Sequence, residues 1–262
     1  MSPEPTRVRR QLAAELARLR SLAGLTLRQL GGVADIPHAR VWRIEQAATI
    51  PDTGQAERWL NATAASDTTR EQVMALVYAA HSETVPWSSS LTDVDHLQGV
   101  AASREESART LCTFEHAHLP GLLQTHDYAA ALLAMFDLDQ DVPAAAAARQ
   151  RRQELLYRPE RSFRFVITER LLTWVPSPAV SSAAQQHRLR EISELDTVSI
   201  RVLPDQHRRP MSGFVLHQQV EDGADFVAIE LEHGEVVLQD SDDVEVYRQL
   251  FADLDTAAGS LP

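Results

Sequence analysis

The chain has 262 residues, 25 Lys+Arg against 37 Asp+Glu, and a formal charge of −12. That length suits two domains, and 44% hydrophobic with 24% charged residues is the composition of a folded protein, not a disordered one. One cysteine excludes a disulfide framework and a zinc site built from several cysteines.

No apolar run approaches the ~20 residues of a membrane span. The opening Met1-Ser2-Pro3-Glu4-Pro5 has no apolar core behind it, so no secretory signal is read and a cytoplasmic protein is expected. The acidic total argues against a polyanionic partner, but the charge is unevenly spread. Residues 1–80 hold ten arginines and eight acids, a formal +2. Residues 81–262 hold fifteen and twenty-nine, or −14. The stretch Arg7–Glu45 alone holds eight and three, or +5. Every cation is arginine.

In chain order, Val8, Leu12, Leu16 and Leu19 recur at helical spacing with arginines opposite, which predicts a helix over 7–23 capped by Gly24. Thr26 and Gln29 form a capping box for a short helix through about Val33. Asp35 breaks it, and Pro37 suits the first turn of a third helix running to about Ala47. Residues 54–64 and 69–80 read as two more. Residues 82–103 lose the helical period and gather Ser, Asp and Pro, so a linker is expected over 81–103. Beyond it, β-like runs appear at 111–116, 163–168, 198–203, 214–220, 226–231 and 236–238, with helical stretches at 126–136, 144–157, 180–195 and 243–257. The fold class expected is an all-α helix-turn-helix domain over 1–80 and an α+β domain with a largely antiparallel sheet over 104–262.

Leu27–Ile44 is the most informative stretch. Leu30, Val33, Ile36, Val41 and Ile44 are spaced for two short helices sharing one small core. Gly31 allows a close crossing, and Asp35 tolerates the left-handed region at the turn. The second helix then presents His38, Ala39, Arg40, Trp42 and Arg43, the geometry a major groove accepts. Through Leu16–Arg20, Ala23–Leu30, Val41–Glu45 and Pro51, residues 7–65 resemble the XRE-type, lambda-repressor-like helix-turn-helix regulators, especially their long actinobacterial branch. The resemblance implies a recognition helix over Pro37–Arg43, with Arg28 and Gln29 at the preceding helix. Leu27 stands where a phosphate-binding Gln is common, Trp42 where a small Ser is common, and Gln46-Ala47 where Arg-Gly is. Arg40 and Arg43 are expected to contact DNA, because arginine pairs bidentately with guanine. Arg7, Arg9, Arg10, Arg18 and Arg20 read either as phosphate contacts or as a solvated face. Trp42 reads either as core or as a DNA or partner contact. Glu45 is expected to pair with an arginine inside the domain. With so small a positive charge a monomer should bind weakly, so a homodimer on an inverted repeat of double-stranded DNA is expected.

The second domain carries Leu119–Thr125 (LPGLLQT) followed by Tyr128-Ala129. With RQRRQ at 149–153, FRFVITE at 163–169, VSIRVLP at 198–204, Gly213-Phe214, Ile229-Glu230 and VEVYRQLF at 244–251, it resembles the "PGLLQT…YA" domain of unknown function that follows XRE-type domains in WhiJ-like regulators. The resemblance implies an antitoxin-like regulator with a small partner protein encoded nearby. Pro120-Gly121 is a turn, Thr125 caps the next helix with Asp127 in its first turn, and Leu122 and Leu123 are core. Gln124 and Tyr128 are the candidate partner or ligand surface, against a purely structural reading of the signature.

No nucleophile motif, phosphate loop or dinucleotide fingerprint is present, and neither enzyme activity nor a cofactor is expected. Cys112 reads as a buried inert thiol. Glu115, His116, His118, His126 and Asp127 form the one cluster with metal-ligand chemistry. Loop histidines near a turn are the commoner meaning, and no metal is expected. Glu169, Glu230 and Glu232 supply acid–base pairs only if the fold unites them. The run Asp240–Asp243 reads as helix-dipole complement, or as a docking site for a basic partner.

Overall fold

The computed structural model describes residues 7–86, 94–136, 141–221, 223–231 and 234–262. The chain divides into two compact units, Met1–Glu83 and Thr84–Pro262.

The first unit is built from α1 (Arg7–Leu22), α2 (Leu27–Ala34), α3 (His38–Glu45), α4 (Thr53–Ala62) and α5 (Asp67–His81). α1 buries Leu12, Ala13, Leu16 and Leu19 on one stripe, and Gly24 at φ +67° turns the chain. Thr26 Oγ1 accepts from Gln29 N–H while the Gln29 side chain accepts from Thr26 N–H, closing the expected capping box. Trp59 is fully buried among these helices, and its indole N–H donates to Leu16 C=O at 3.2 Å. Two expectations shift. Val33 is 67% exposed, because Leu30, Gly31 and Ala34 take the core stripe of α2 and leave it on the outer face. Pro37 caps α3 from outside instead of entering its first turn.

The second unit is built on a sheet of order β1-β7-β6-β5-β2-β3-β4-β8. The strands are β1 (Ser82–Pro86), β2 (Ala108–Glu115), β3 (Ser162–Thr168), β4 (Val198–Leu203), β5 (Phe214–Val220), β6 (Phe226–Leu231), β7 (Gly234–Leu238) and β8 (Gly259–Ser260). β2, β3 and β4 run parallel. β5, β6 and β7 extend antiparallel from β2, and β8 lies antiparallel to β4. The helices are α6 (Val94–Ser107), α7 (His126–Leu133), α8 (Val142–Arg152), α9 (Ser182–Ser193) and α10 (Ser241–Ala257). Parallel neighbours need crossovers; α7 and α8 lie between β2 and β3, and α9 between β3 and β4. Leu111, Phe163, Phe165, Ile167, Ile200 and Val202 share one core with Leu122, Leu123, Leu156 and Leu189. Cys112, Phe114, Val166, Leu203, Phe214 and Leu216 share the other with Val244, Phe251 and Leu254 of α10. Covering both faces explains why β2 and β3 read as near-continuous apolar runs.

The stretch expected as a linker instead holds β1 and most of α6; residues 87–93 lie outside the described ones. Among the described side chains, α6 is held by charge. Arg104 pairs with Glu235, and the Glu105 carboxylate accepts from Arg152 Nε and Nη2, each at 2.9 Å. Ionic anchors leave no apolar period to read.

Candidate nucleic-acid interface

The turn between α2 and α3 is fixed at two residues. A Cβ on Gly31 would stand 2.7 Å from Ile36 O, so only glycine fits without a shift. Asp35 takes φ 52°, and Ile36 N–H reaches back to Gly31 C=O at 2.9 Å. This turn aims α3 outward. His38, Ala39 and Arg43 are exposed, and Trp42 is 52% exposed, so its core reading gives way to a surface one. Arg28 is exposed in the first turn of α2. The carboxamide oxygen of Gln29 accepts from Thr26 N–H and Thr26 Oγ1, both at 2.9 Å, so that oxygen is spent on the cap.

Arg40 is half-buried, because its Nε donates to Gln55 Oε1 at 3.0 Å. The same oxygen accepts from Asp52 N–H at 3.3 Å, and Asp52 Oδ1 accepts from Gln55 N–H at 2.6 Å. The capping box of α4 therefore orients an arginine of α3. Glu45 pairs with Arg20 as expected, Nε–Oε1 at 2.5 Å and Nη2–Oε2 at 2.8 Å. Arg18 pairs with Glu15. These two arginines serve the helices. Arg28 and Arg43 form no ion pair with a described carboxylate.

Gln124 and Tyr128 do not form a surface. They are 1% and 0% exposed. Gln124 Nε2 donates to Leu119 C=O at 2.6 Å and its Oε1 accepts from Arg149 Nη1 at 2.9 Å. Leu119 N–H donates to the Tyr128 hydroxyl at 3.1 Å, and burial pushes that phenol up to about 12. Gln150 and Gln153 donate to Gln124 C=O. The signature is thus a buried polar lock between the Pro120-Gly121 turn and α8, with Leu122 and Leu123 as core.

Residues 98–260 match the family described as a domain of unknown function (DUF5753). The chain belongs to that family. Residues 11–73 match the family described as a helix-turn-helix domain. No curated protein matches the chain. One solved structure is titled for TrmBL2, an archaeal chromatin protein with a novel mode of DNA binding. It is 12% identical, covers 92% of this chain and 91% of its own, and has a TM-score of 0.36. A likeness so slight carries no argument. The helix-turn-helix match and the geometry of α2 and α3 agree, and this end of the chain is a DNA-binding module. No described helix is long and apolar enough to cross a membrane.

The remaining candidates of the DUF5753 domain are scattered. Among the described residues no three His, Cys, Asp or Glu converge as a metal site. β2 stops at Glu115, so His116 and His118 follow the strand instead of continuing it. His126 and Asp127 are both exposed, 3.6 Å apart. Glu169 and Glu230 are exposed, and Glu232 lies outside the described residues. Cys112 is 1% exposed, and burial pushes its thiol up to about 11. Asp240 caps α10 by accepting from Asp242 N–H at 3.0 Å, and Asp242 and Asp243 fill its first turn. Glu115 is unusual. Burial, then the Glu230 charge, pushes its carboxyl up to about 8. Gly213 lies against it, and any Cβ there would overlap the carboxylate.

Gln55, which orients Arg40, is absent from the sequence-based candidates, although Asp52-x-x-Gln55 has capping-box spacing. Absent from them too is the run His207-Arg208-Arg209, a basic spot within the acidic body.

Proposed function

We propose that the protein is a sequence-specific, DNA-binding transcriptional regulator that works by binding and not by catalysis. The observation that carries this reading is α3. A turn fixed by Gly31 and Asp35 holds it outward with Arg43 and Trp42 exposed and Arg40 oriented by Gln55. Arg28, Gln29, His38 and Ala39 complete the surface offered to the groove. Such a module reads DNA as a homodimer on an inverted repeat, because two half-sites double the phosphate contacts of a weakly basic domain. The resemblance to WhiJ-like regulators supports placing it in the XRE-type, antitoxin-like actinobacterial branch. There, the C-terminal domain takes a small partner protein or ligand, and the protein works in the cytoplasm. A footprinting titration against the DNA upstream of its own gene tests the reading. Salt-sensitive protection of an inverted repeat is expected, and no protection at low salt overturns it.

Two exposed apolar side chains favour a second reading. Val33 and Trp42 stand out on α2 and α3, and Leu27 occupies a common phosphate-binding position. Here the module sequesters the small partner and has weak DNA binding. A pull-down with the product of the neighbouring small gene, with and without DNA, separates the two.

A further inference from the structure

α3 has an inner and an outer face. Val41 and Ile44 are buried in the core of the first unit. At about 3.6 residues per turn, Ala39 falls opposite them, with Trp42 and Arg43 on either side of it. All three are exposed. Arg40 lies off this face, drawn toward Gln55. Trp42 is 52% exposed. Neither its indole N–H nor the Arg43 guanidinium bonds to a described residue. The indole is therefore no stray apolar residue. It occupies the face that Gly31 and Asp35 turn outward, beside an arginine with no partner of its own in the domain.

The major groove offers an apolar side chain one partner. Every base presents donors or acceptors there, and thymine alone adds a methyl group. An indole laid on guanine, adenine or cytosine takes water from their polar edges and returns no equivalent hydrogen bonds. Laid on thymine, it covers the methyl. Ala39, with a single methyl between Trp42 and Arg43, lets the helix lie close to the bases. Arg43 brings the complementary preference, for guanine. Consecutive Cα atoms lie about 3.8 Å apart, close to the rise of about 3.4 Å per base pair, so the two readings fall near one another.

We propose that Trp42 is a specificity-determining residue, whose indole selects a thymine methyl within about two base pairs of the guanine that Arg43 reads. The proposal rests on the reading of α3 as the recognition helix.

The test starts with the full chain and a pool of duplexes of random sequence, from which bound duplexes are recovered and sequenced. The recovered half-site should hold a thymine within about two base pairs of a guanine. Fluorescence anisotropy then follows that duplex with its thymines replaced one at a time by deoxyuridine. Deoxyuridine lacks the methyl and keeps the hydrogen-bonding edge. One position per half-site should lose about threefold to tenfold in affinity, the worth of a buried methyl or somewhat more. Trp42→Ala should bind the thymine and deoxyuridine duplexes equally there, and should still reject replacement of the guanine. A ratio of affinities within one variant is unaffected by any change in its folded fraction. Trp42→Phe, which keeps an apolar ring, should retain part of the preference. Tyr78→Ala, at an aromatic side chain exposed on α5, should retain all of it.

A recovered site at which no deoxyuridine costs more than about twofold overturns the proposal and leaves the regulator reading in place. So does a Trp42→Ala chain that keeps the full preference, or a Tyr78→Ala chain that loses it equally. Trp42→Ala that keeps its DNA affinity but no longer captures the product of the neighbouring small gene assigns the indole to that protein, and also overturns the proposal. Recovery of no preferred sequence overturns the regulator reading, and this proposal with it.

Discussion

Arg20 and Glu45, twenty-five residues apart, are joined by a two-pronged ion pair that ties α1 to α3. The same guanidinium donates through Nη1 to Leu25 C=O at 2.8 Å, so it also holds the turn into α2. The Glu45 side chain is 8% exposed. Arg20→Ala strands that carboxylate and should cost about 2 kcal/mol. Arg20→Lys should recover only part of it, because an ammonium cannot make the parallel pair. Urea unfolding followed through the buried Trp59 measures this. A loss under about 0.5 kcal/mol would show the pair to be solvent-screened.

Gln55→Glu separates positioning from folding. Glutamate still closes a capping box with Asp52, so the thermal midpoint should hold. It also turns the Arg40–Gln55 hydrogen bond into an ion pair that draws Arg40 away from the groove. DNA affinity should fall about threefold to tenfold, measured by fluorescence anisotropy, where Arg43→Ala should cost about 1–3 kcal/mol. Unchanged affinity in Gln55→Glu would mean that Arg40 does not work from its tethered position.

Ala64 follows α4 at φ 50° and is exposed. Its N–H reaches Asn61 C=O at 3.1 Å, and Ala65 N–H reaches Leu60 C=O at 3.0 Å, a helix stop that glycine makes without strain. Ala64→Gly should stabilise the first unit by about 0.5–1 kcal/mol, the relief of left-handed strain exceeding the entropy lost. A lower urea midpoint in the variant would contradict this.

Glu115 makes the second unit pH-sensitive. Its carboxyl titrates near 4.5 when unfolded and near 8 when folded, so folding takes up a proton between those limits. Stability is therefore highest below about pH 4.5 from this group, and declines as pH rises toward about 8 with a slope on the order of 1.4 kcal/mol per unit. Glu115→Gln should flatten the decline between pH 5 and 8 and raise stability at pH 8. An unaltered pH profile of the urea midpoint would show that the carboxyl is hydrated and ionised.

Much of this was legible before the fold. The capping box at Thr26, the left-handed turn at Asp35, the Glu45 pair, the cap at Thr125 and the dipole-complementing acids at 240–243 all depend on residues close in sequence or on one strong chemical preference. The strands β2 to β7 stood out because both faces of the sheet are buried, leaving long β-branched and aromatic runs. Three things were hidden. α6 is anchored by ions that lie 47 and 131 residues away. The Gln124–Tyr128 signature looked like a surface because its polar groups are visible in sequence and their buried partners, Leu119 and Arg149, are not. The burial of Glu115 beside Gly213 exists only once β5 lies against β2.

Gly213 and Glu115 carry a constraint on how this chain can change over generations. A side chain at 213 must displace the carboxyl beside it, and that carboxyl is the group that folding protonates. The constraint runs one way. Glu115 can shorten or become glutamine while Gly213 stands, whereas a residue with a Cβ at 213 first has to turn the flexible end of Glu115 aside, so change at 115 should precede change at 213 among relatives of this chain.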